Sequence, residues 1–301
     1  MTTGLQTTAD IAAVLSTVLS PARDVIEKPT FLRAMISNAT LKDGDGATYN
    51  WPKFPYQLTA QALTEGIPLN NPQKLIPTSQ QFTTSEVGIE IMMTDKSLRL
   101  TPEPMRARAG RFAGNAMKRK QELDILGLFA GLSRALGSGA GNAFNPNLLS
   151  VAKVRLEAAA ESGQTEAAPG KIFSVIHPFH YHDIMVSTAT LGSNINSVSG
   201  YFPIPGLTEE IIRSYNIKEL YGVDMARHSL MPIDSSDDAV GAVFAREAFI
   251  FINTSNSMKS ETERDKNLRA WDMVMTSEYG VGEVEDQWGF KIIADATAPT
   301  S

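Results

Sequence analysis

Hydrophobic and polar positions change period several times along the chain, and each change marks an element. From Asp10, a suitable helix cap, an apolar run to about Leu19 predicts a short helix that Pro21 stops. A second amphipathic piece runs through Phe31, Leu32 and Ile36. Neither is long enough to stand alone in water, so both must pack on the body of the chain or on a neighbour. Lys42-Asp-Gly-Asp-Gly46 is a turn signal. Ala47 to Trp51 then reads as a strand that Pro52 and Pro55 mark as an edge or loop. Gln57 to Ser79 carries Gly66, Pro68, Pro72 and Pro77. From Phe82 to Met93 the pattern alternates, with Val87, Ile89 and Ile91 on one face and Glu86 and Glu90 on the other. Together these predict a long two-stranded excursion with an irregular tip. An isolated hairpin is marginal in water. One that carries Trp51, Phe54 and Tyr56 must dock, either on another subunit or back on its own domain.

The clearest helical period runs from about Pro104 to Leu136, opened by Thr101-Pro-Glu-Pro. Met105, Ala109, Phe112, Ala116, Leu123, Leu126, Phe129 and Leu132 give it a single apolar stripe. Beyond the Gly137-Ser-Gly-Ala-Gly141 loop the pattern alternates between helix and strand. Helices are expected from Pro146 and Leu148 to Ala160, from Pro178 to about Val186, and over Glu209 to Tyr215. Strands are expected at Ile172–Ile176, Leu220 to Ala226, and Ala239 to Asn253 with a break near Arg246-Glu247. The polar run Ser255 to Asn267 reads as a loop, and Leu268 to Tyr279 and Trp288 to Ile293 as two closing strands. The class is α+β.

Composition narrows what such a chain can do. Its 301 residues, 43% of them hydrophobic, suffice for a sizeable core in one large or two ordinary domains. With 27 basic and 33 acidic side chains the net charge is -6, the opposite of a protein that grips nucleic acid by neutralising phosphates. An acidic surface that merely encloses DNA fits. The absence of cysteine excludes disulfides, thiolate catalysis and Cys-ligated zinc. No positive charge precedes Arg23 and no run approaches a membrane span, so the expectation is a soluble protein made in a cytoplasm, without a secretory signal.

Candidate chemistry is thin. Three of the four histidines cluster in His177-Pro-Phe-His180-Tyr-His182-Asp183. Imidazoles beside a carboxylate suit zinc or iron. On a helix, however, His177 and His180 share a face while His182 points away, and His177-Pro178 reads better as a strand-to-helix junction. Pro169-Gly-Lys171 lacks the spacing of a phosphate loop, and Asp43-Gly-Asp-Gly46 lacks the register and closing Glu of a calcium loop. No catalytic residue, metal site or cofactor is expected. One charge run stands out: Arg106, Arg108, Arg111, Lys118, Arg119 and Lys120, with no acid before Glu122. It fits contacts between subunits better than nucleic acid, given the acidic total.

The order of parts, arm, long two-stranded loop, long helix, α/β unit and returning strands, resembles the tailed-bacteriophage major capsid protein family. That is the Hong Kong 97-like fold, also seen in encapsulins. Local anchors are Ala62-Leu-Thr-Glu-Gly66, Met93-Thr-Asp-Lys-Ser-Leu98, Val175-Ile-His-Pro178, Glu278-Tyr-Gly-Val-Gly282 and Trp288-Gly-Phe-Lys291. The resemblance implies an N-terminal arm at 1–45, an extended E-loop at 46–93, and a P-domain with the long spine helix at 94–144. An α/β A-domain follows at 145–267, and P-domain strands at 268–301. It implies a structural subunit, not an enzyme, that assembles with itself into hexamers and pentamers of an icosahedral head. Portal and scaffolding proteins and packaged double-stranded DNA, held without sequence specificity, are the implied partners. The implied location is the virion, assembled in the host bacterial cytoplasm. Interface candidates are Trp51, Phe54, Tyr56, Leu63, Glu65, Arg106, Arg108, Arg111, Lys118 and Arg119. The competing readings are an encapsulin-like compartment and an α/β enzyme using the His177–Asp183 cluster. No lysine–asparagine cross-link can be placed, since neither Lys53 nor Lys74 suits the role.

Overall fold

A computed structural model describes residues 5–6, 31–53, 58, 60–68, 70–100, 105–139, 141–158, 166–193 and 216–299. The helices expected at Asp10 to Leu19 and Glu209 to Tyr215 lie outside these residues. The described chain forms two sheets, a separate two-stranded hairpin, and helices against the sheets, the α+β class expected.

The first sheet has five strands, in the order β1-β5-β12-β11-β2. Its frame is the antiparallel set β5 (Ser85–Thr94), β12 (Ala270–Glu283) and β11 (Phe249–Asp265). The short strands β1 (Leu5–Gln6) and β2 (Ser37–Leu41) add in parallel at its two edges. Period-2 alternation decides what this sheet buries. Val87, Ile89 and Ile91 of β5 and Met275 of β12 share one face, and the spine helix seats Ala113 and Met117 on it. The second sheet has six strands, β6-β13-β10-β7-β9-β8. These are β6 (Ala135–Leu136), β13 (Gly289–Asp295), β10 (Asp238–Ala245), β7 (Ile172–Ile176), β9 (Val223–Arg227) and β8 (Glu219–Leu220). The central strands β7 and β10 are covered on both faces and so read as nearly continuous apolar runs.

Helix α1 (Leu32–Met35) is a single turn, α2 (Asp95–Leu100) starts on the Thr94 hydroxyl, which accepts the Ser97 amide at 3.2 Å, and α3 (Met105–Gly131) is the spine. Its 27 residues span about 40 Å. Helices α4 (Asn147–Ala158) and α5 (Pro178–Ser193) cover one face of the six-stranded sheet through Leu149, Leu156, Tyr181 and Ile184. The second half of α3 serves the other face, where Ile125, Leu126 and Phe129 join Leu32, Phe244, Phe249 and Tyr279. The spine helix therefore joins the two sheets.

Several expectations need correcting. The spine helix ends at Gly131, not Leu136, and Ala135–Leu136 is a strand beside β13. Its single stripe is also wrong. Phe112 and Leu123 are exposed, because the helix rests first on one sheet and then on another cluster, and its buried side turns about the axis between them. Ser37–Leu41, for which no element is expected from the sequence, is β2. The expected single strand Phe82 to Met93 is two strands, divided at Thr84. Ser255 to Asp265 is strand, not loop, paired with β12 as far as Asp265 and Ala270. With no core beneath it, that stretch needs no apolar alternation.

Sheet membership differs as well. Strand β11, expected within the 145–267 unit, lies in the five-stranded sheet, and β13, expected with the spine helix, lies in the six-stranded one. The chain passes between sheets at two 3-10 turns, Arg246–Ala248 and Asp286–Trp288. These crossings lie side by side: the Val284 amide donates to the Ala248 carbonyl at 2.8 Å.

Candidate assembly surfaces

The hairpin joins β3 (Thr48–Lys53) to β4 (Thr78–Thr83), and among the described residues each strand has the other as its sole ladder partner. Pro52, which lacks an N–H, is tolerated because β3 is an edge. The root of the hairpin is fixed to the body. Phe82 lies so close over Gly282 that a Cβ there would collide with the ring, which explains the glycine of Gly280-Val-Gly282. Tyr49 and Trp51 pack against the cluster of Leu41, Phe82, Ile250, Ile252 and Val284. Polar ties surround it: Gln80 Nε2 donates to the Glu283 carbonyl at 2.7 Å, Thr84 Oγ1 to Glu278 Oε1 at 2.7 Å, and Lys53 Nζ pairs with Glu285 at 3.0 Å.

The far end of the hairpin has the opposite character. Leu58, Leu63, Ile67, Leu75 and Ile76 are all exposed, Leu63 by 73% and Ile67 by 66%. Contiguous exposed apolar surface is characteristic of interaction sites, which makes this segment a candidate for one. Of the residues expected at an interface, Trp51 is half-buried on its own chain, Leu63 and Glu65 are exposed at this tip, and Phe54 and Tyr56 lie outside the described residues. Leu58, Ile67, Leu75 and Ile76 were not among them. They sit between prolines and asparagines without a period, so only their hydrophobicity in a loop-like stretch marked them.

On the spine helix, Arg111, Lys118 and Arg119 are exposed, whereas the side chains of Arg106 and Arg108 lie outside the described residues. Lys120 pairs with Asp124 at 2.5 Å, and Asp124 also accepts the Tyr279 hydroxyl at 2.6 Å, tying the helix to β12. Burial and that bond to Asp124 raise the Tyr279 phenol above its ordinary range. Phe112 and Leu123 are exposed along the same helix. The opposite face of the five-stranded sheet carries Glu86, Glu90, Asp272, Glu278, Glu261 and Glu263, by the strand register. The two sides of this layer thus differ in charge.

The histidine cluster is taken up by local structure. His177 caps α5: its Nδ1 accepts the Phe179 amide at 3.2 Å, and its carbonyl accepts the first helical bond, from Tyr181. His180 is fully buried, stacks on Phe144, and donates from Nε2 to the Ala294 carbonyl at 3.0 Å. Burial lowers its pKa, although the Ala294 bond and the Asp183 charge work the other way. Among the described residues no group of three or more His, Cys, Asp or Glu side chains is placed to hold a metal ion, and no helix is long and apolar enough to cross a membrane.

No protein-family model and no curated protein matches the chain in sequence. Solved structures do match in fold. A chain from the head of the Helicobacter pylori bacteriophage KHP40 superposes with a TM-score of 0.68 at 10% identity, over 97% of this chain and 98% of that one. One from the capsid of the cyanophage P-SCSP1u gives 0.66 at 12% identity, over 94% and 95%. One from the mature capsid of bacteriophage PhiM1 gives 0.63 at 13% identity, over 93% and 91%. The chain therefore has the Hong Kong 97-like fold of phage capsid structures, matched over 93% to 97% of its length in these three cases.

Proposed function

We propose that the chain is the major capsid protein of a tailed bacteriophage, a structural subunit that self-assembles into an icosahedral head around the genome. The observation that carries this reading is the coverage: capsid chains match over nearly their full length and nearly all of this one. In this reading the five-stranded sheet with α3 is the P-domain, and the six-stranded sheet with α4 and α5 is the A-domain. The β3–β4 hairpin is the E-loop. The exposed apolar tip around Leu63 and Ile67 lies across a neighbouring subunit, together with the N-terminal arm. Such contacts, repeated around hexamers and pentamers, lock the shell without disulfides, as a chain with no cysteine requires. Arg111, Lys118 and Arg119 supply polar contacts to adjacent copies. Portal and scaffolding proteins are the other protein partners, packaged double-stranded DNA is enclosed without sequence specificity, and no catalysis is involved.

Particles purified from producing cells and treated with nuclease test this reading. Protected double-stranded DNA inside shells built of this chain is the expected result. Shells that instead hold co-purifying enzymes and no DNA would make the protein an encapsulin-like compartment.

A further inference from the structure

The two edges of β11 are treated differently. On one side β12 pairs with it from Phe249 to Asp265, around a bulge between Asn253 and Met258. On the other side β2 covers only Ile250–Thr254. β2 is the last strand of that sheet, so among the described residues no strand lies outside Met258–Asp265. An open edge of this length is a template for another strand, and natural chains blunt such edges with charges and bulges.

The charges on this edge are not a uniform guard, because their order is self-complementary. By the register with β12, Lys259 lies opposite Thr276, Glu261 opposite Val274 and Glu263 opposite Asp272, all on the face away from α3. Glu263 and Asp272 are like charges in direct opposition, which is unfavourable unless a cation joins them. Arg264 does not serve, since it points to the other face and pairs with Asp95 of its own chain at 2.7 Å.

We propose that Met258–Asp265 forms an antiparallel seam with the same segment of a second copy, about a two-fold axis at Ser260. Such an axis stands perpendicular to the sheet and leaves α3 of both copies on the same side. Lys259 of each copy then lies opposite Glu261 of the other and diagonal to Glu263, and Met258 lies opposite Thr262. Only registers that keep the faces together are open to the pair. With the axis at Lys259 or at Glu261, like charges meet on the axis itself, and with the axis at Thr262, Glu261 meets Glu263. The register at Ser260 is the one in which unlike charges meet. It also carries Lys266 and Arg269, in the second copy's β11–β12 turn, towards the turn with Asp43 and Asp45, where Asp43 accepts the Ser255 hydroxyl beside the bulge. The seam extends the self-assembly reading by naming one contact between copies.

The chain has no cysteine, so single introduced cysteines in the full-length protein test the seam. Met258, Lys259, Ser260, Glu261 and Thr262 are all exposed. At the axis the two Ser260 Cα atoms come within about 4.5–5.5 Å, inside disulfide reach. Ser260→Cys should therefore form a disulfide-linked dimer under mild oxidation. Met258→Cys alone and Thr262→Cys alone should not, because each lies about 13 Å along the strands from its own copy. Co-expression of those two variants should link one to the other. In the Ser260→Cys chain, Lys259→Glu should lower the yield roughly two- to thirtyfold, two cross-strand pairs being lost at once, and adding Glu261→Lys should restore it. No dimer at Ser260, or equal cross-linking at all three positions, overturns the seam whether or not shells form. A Ser260 dimer from a chain that builds no shells would support the seam and contradict the shell reading.

Discussion

Glu122 of the spine helix and His228, 106 positions further along the chain, meet at 3.0 Å inside the core. The other oxygen of Glu122 accepts the Leu32 amide at 3.2 Å, and His228 Nδ1 accepts the Leu230 amide at 3.2 Å. The His228 proton is therefore on Nε2, facing the carboxylate. One buried side chain ties α3 to α1 and to the segment after β9, which fixes where the arm enters the body.

Glu122→Ala should lower unfolding free energy by about 2–3 kcal/mol, because it leaves the Leu32 amide and the His228 ring without their acceptor. Denaturant midpoints at constant slope measure this. A loss below about 0.5 kcal/mol would show that water replaces the carboxylate at little cost.

Gly282→Ala should displace Phe82 and loosen the hairpin root, at a cost of about 1–3 kcal/mol for overpacking. Proteolysis within residues 58–76 should accelerate relative to the wild-type chain. Unchanged cleavage would mean that Phe82 does not anchor the hairpin.

Leu63→Ser with Ile67→Ser should leave the fold intact, since both side chains are exposed and the change in stability should stay within about 0.5 kcal/mol. Assembly should suffer instead, read as the fraction of chain sedimenting as large particles. Normal assembly would remove the tip from the interface.

His180 gives the chain an acid sensitivity. Its lowered pKa means that stability is present above the ordinary 6.5 and is lost as pH falls below it. His180→Phe, which cannot charge, should show a smaller drop in thermal midpoint between pH 7 and pH 5 than the wild-type chain. An equal drop in both would assign the acid sensitivity elsewhere.

Much of the fold is legible in the sequence where burial imposes a period. Strand β7 falls at Ile172–Ile176 as read, because a strand covered on both faces must be an unbroken apolar run. The turn at Lys42 to Gly46 is signalled by glycines that adopt positive φ, Gly44 and Gly46. What escapes is structure without local burial. Residues Met258–Asp265 are largely exposed and follow the backbone ladder to β12, so nothing in Lys259, Glu261 or Glu263 announces a strand. The tie between Ser133 and Asp286 escapes for another reason: the two lie 153 positions apart, and no spacing rule joins them. His177 to Asp183 shows the converse. The densest chemistry in the sequence is largely a helix cap and a core contact.

The central claim, that this chain builds a shell, is met most directly by negative-stain microscopy of the expressed protein with sizing chromatography. Closed, uniform icosahedral particles eluting far ahead of a 301-residue monomer are the predicted result. A small monomer or dimer under every condition of salt, pH and concentration would contradict it.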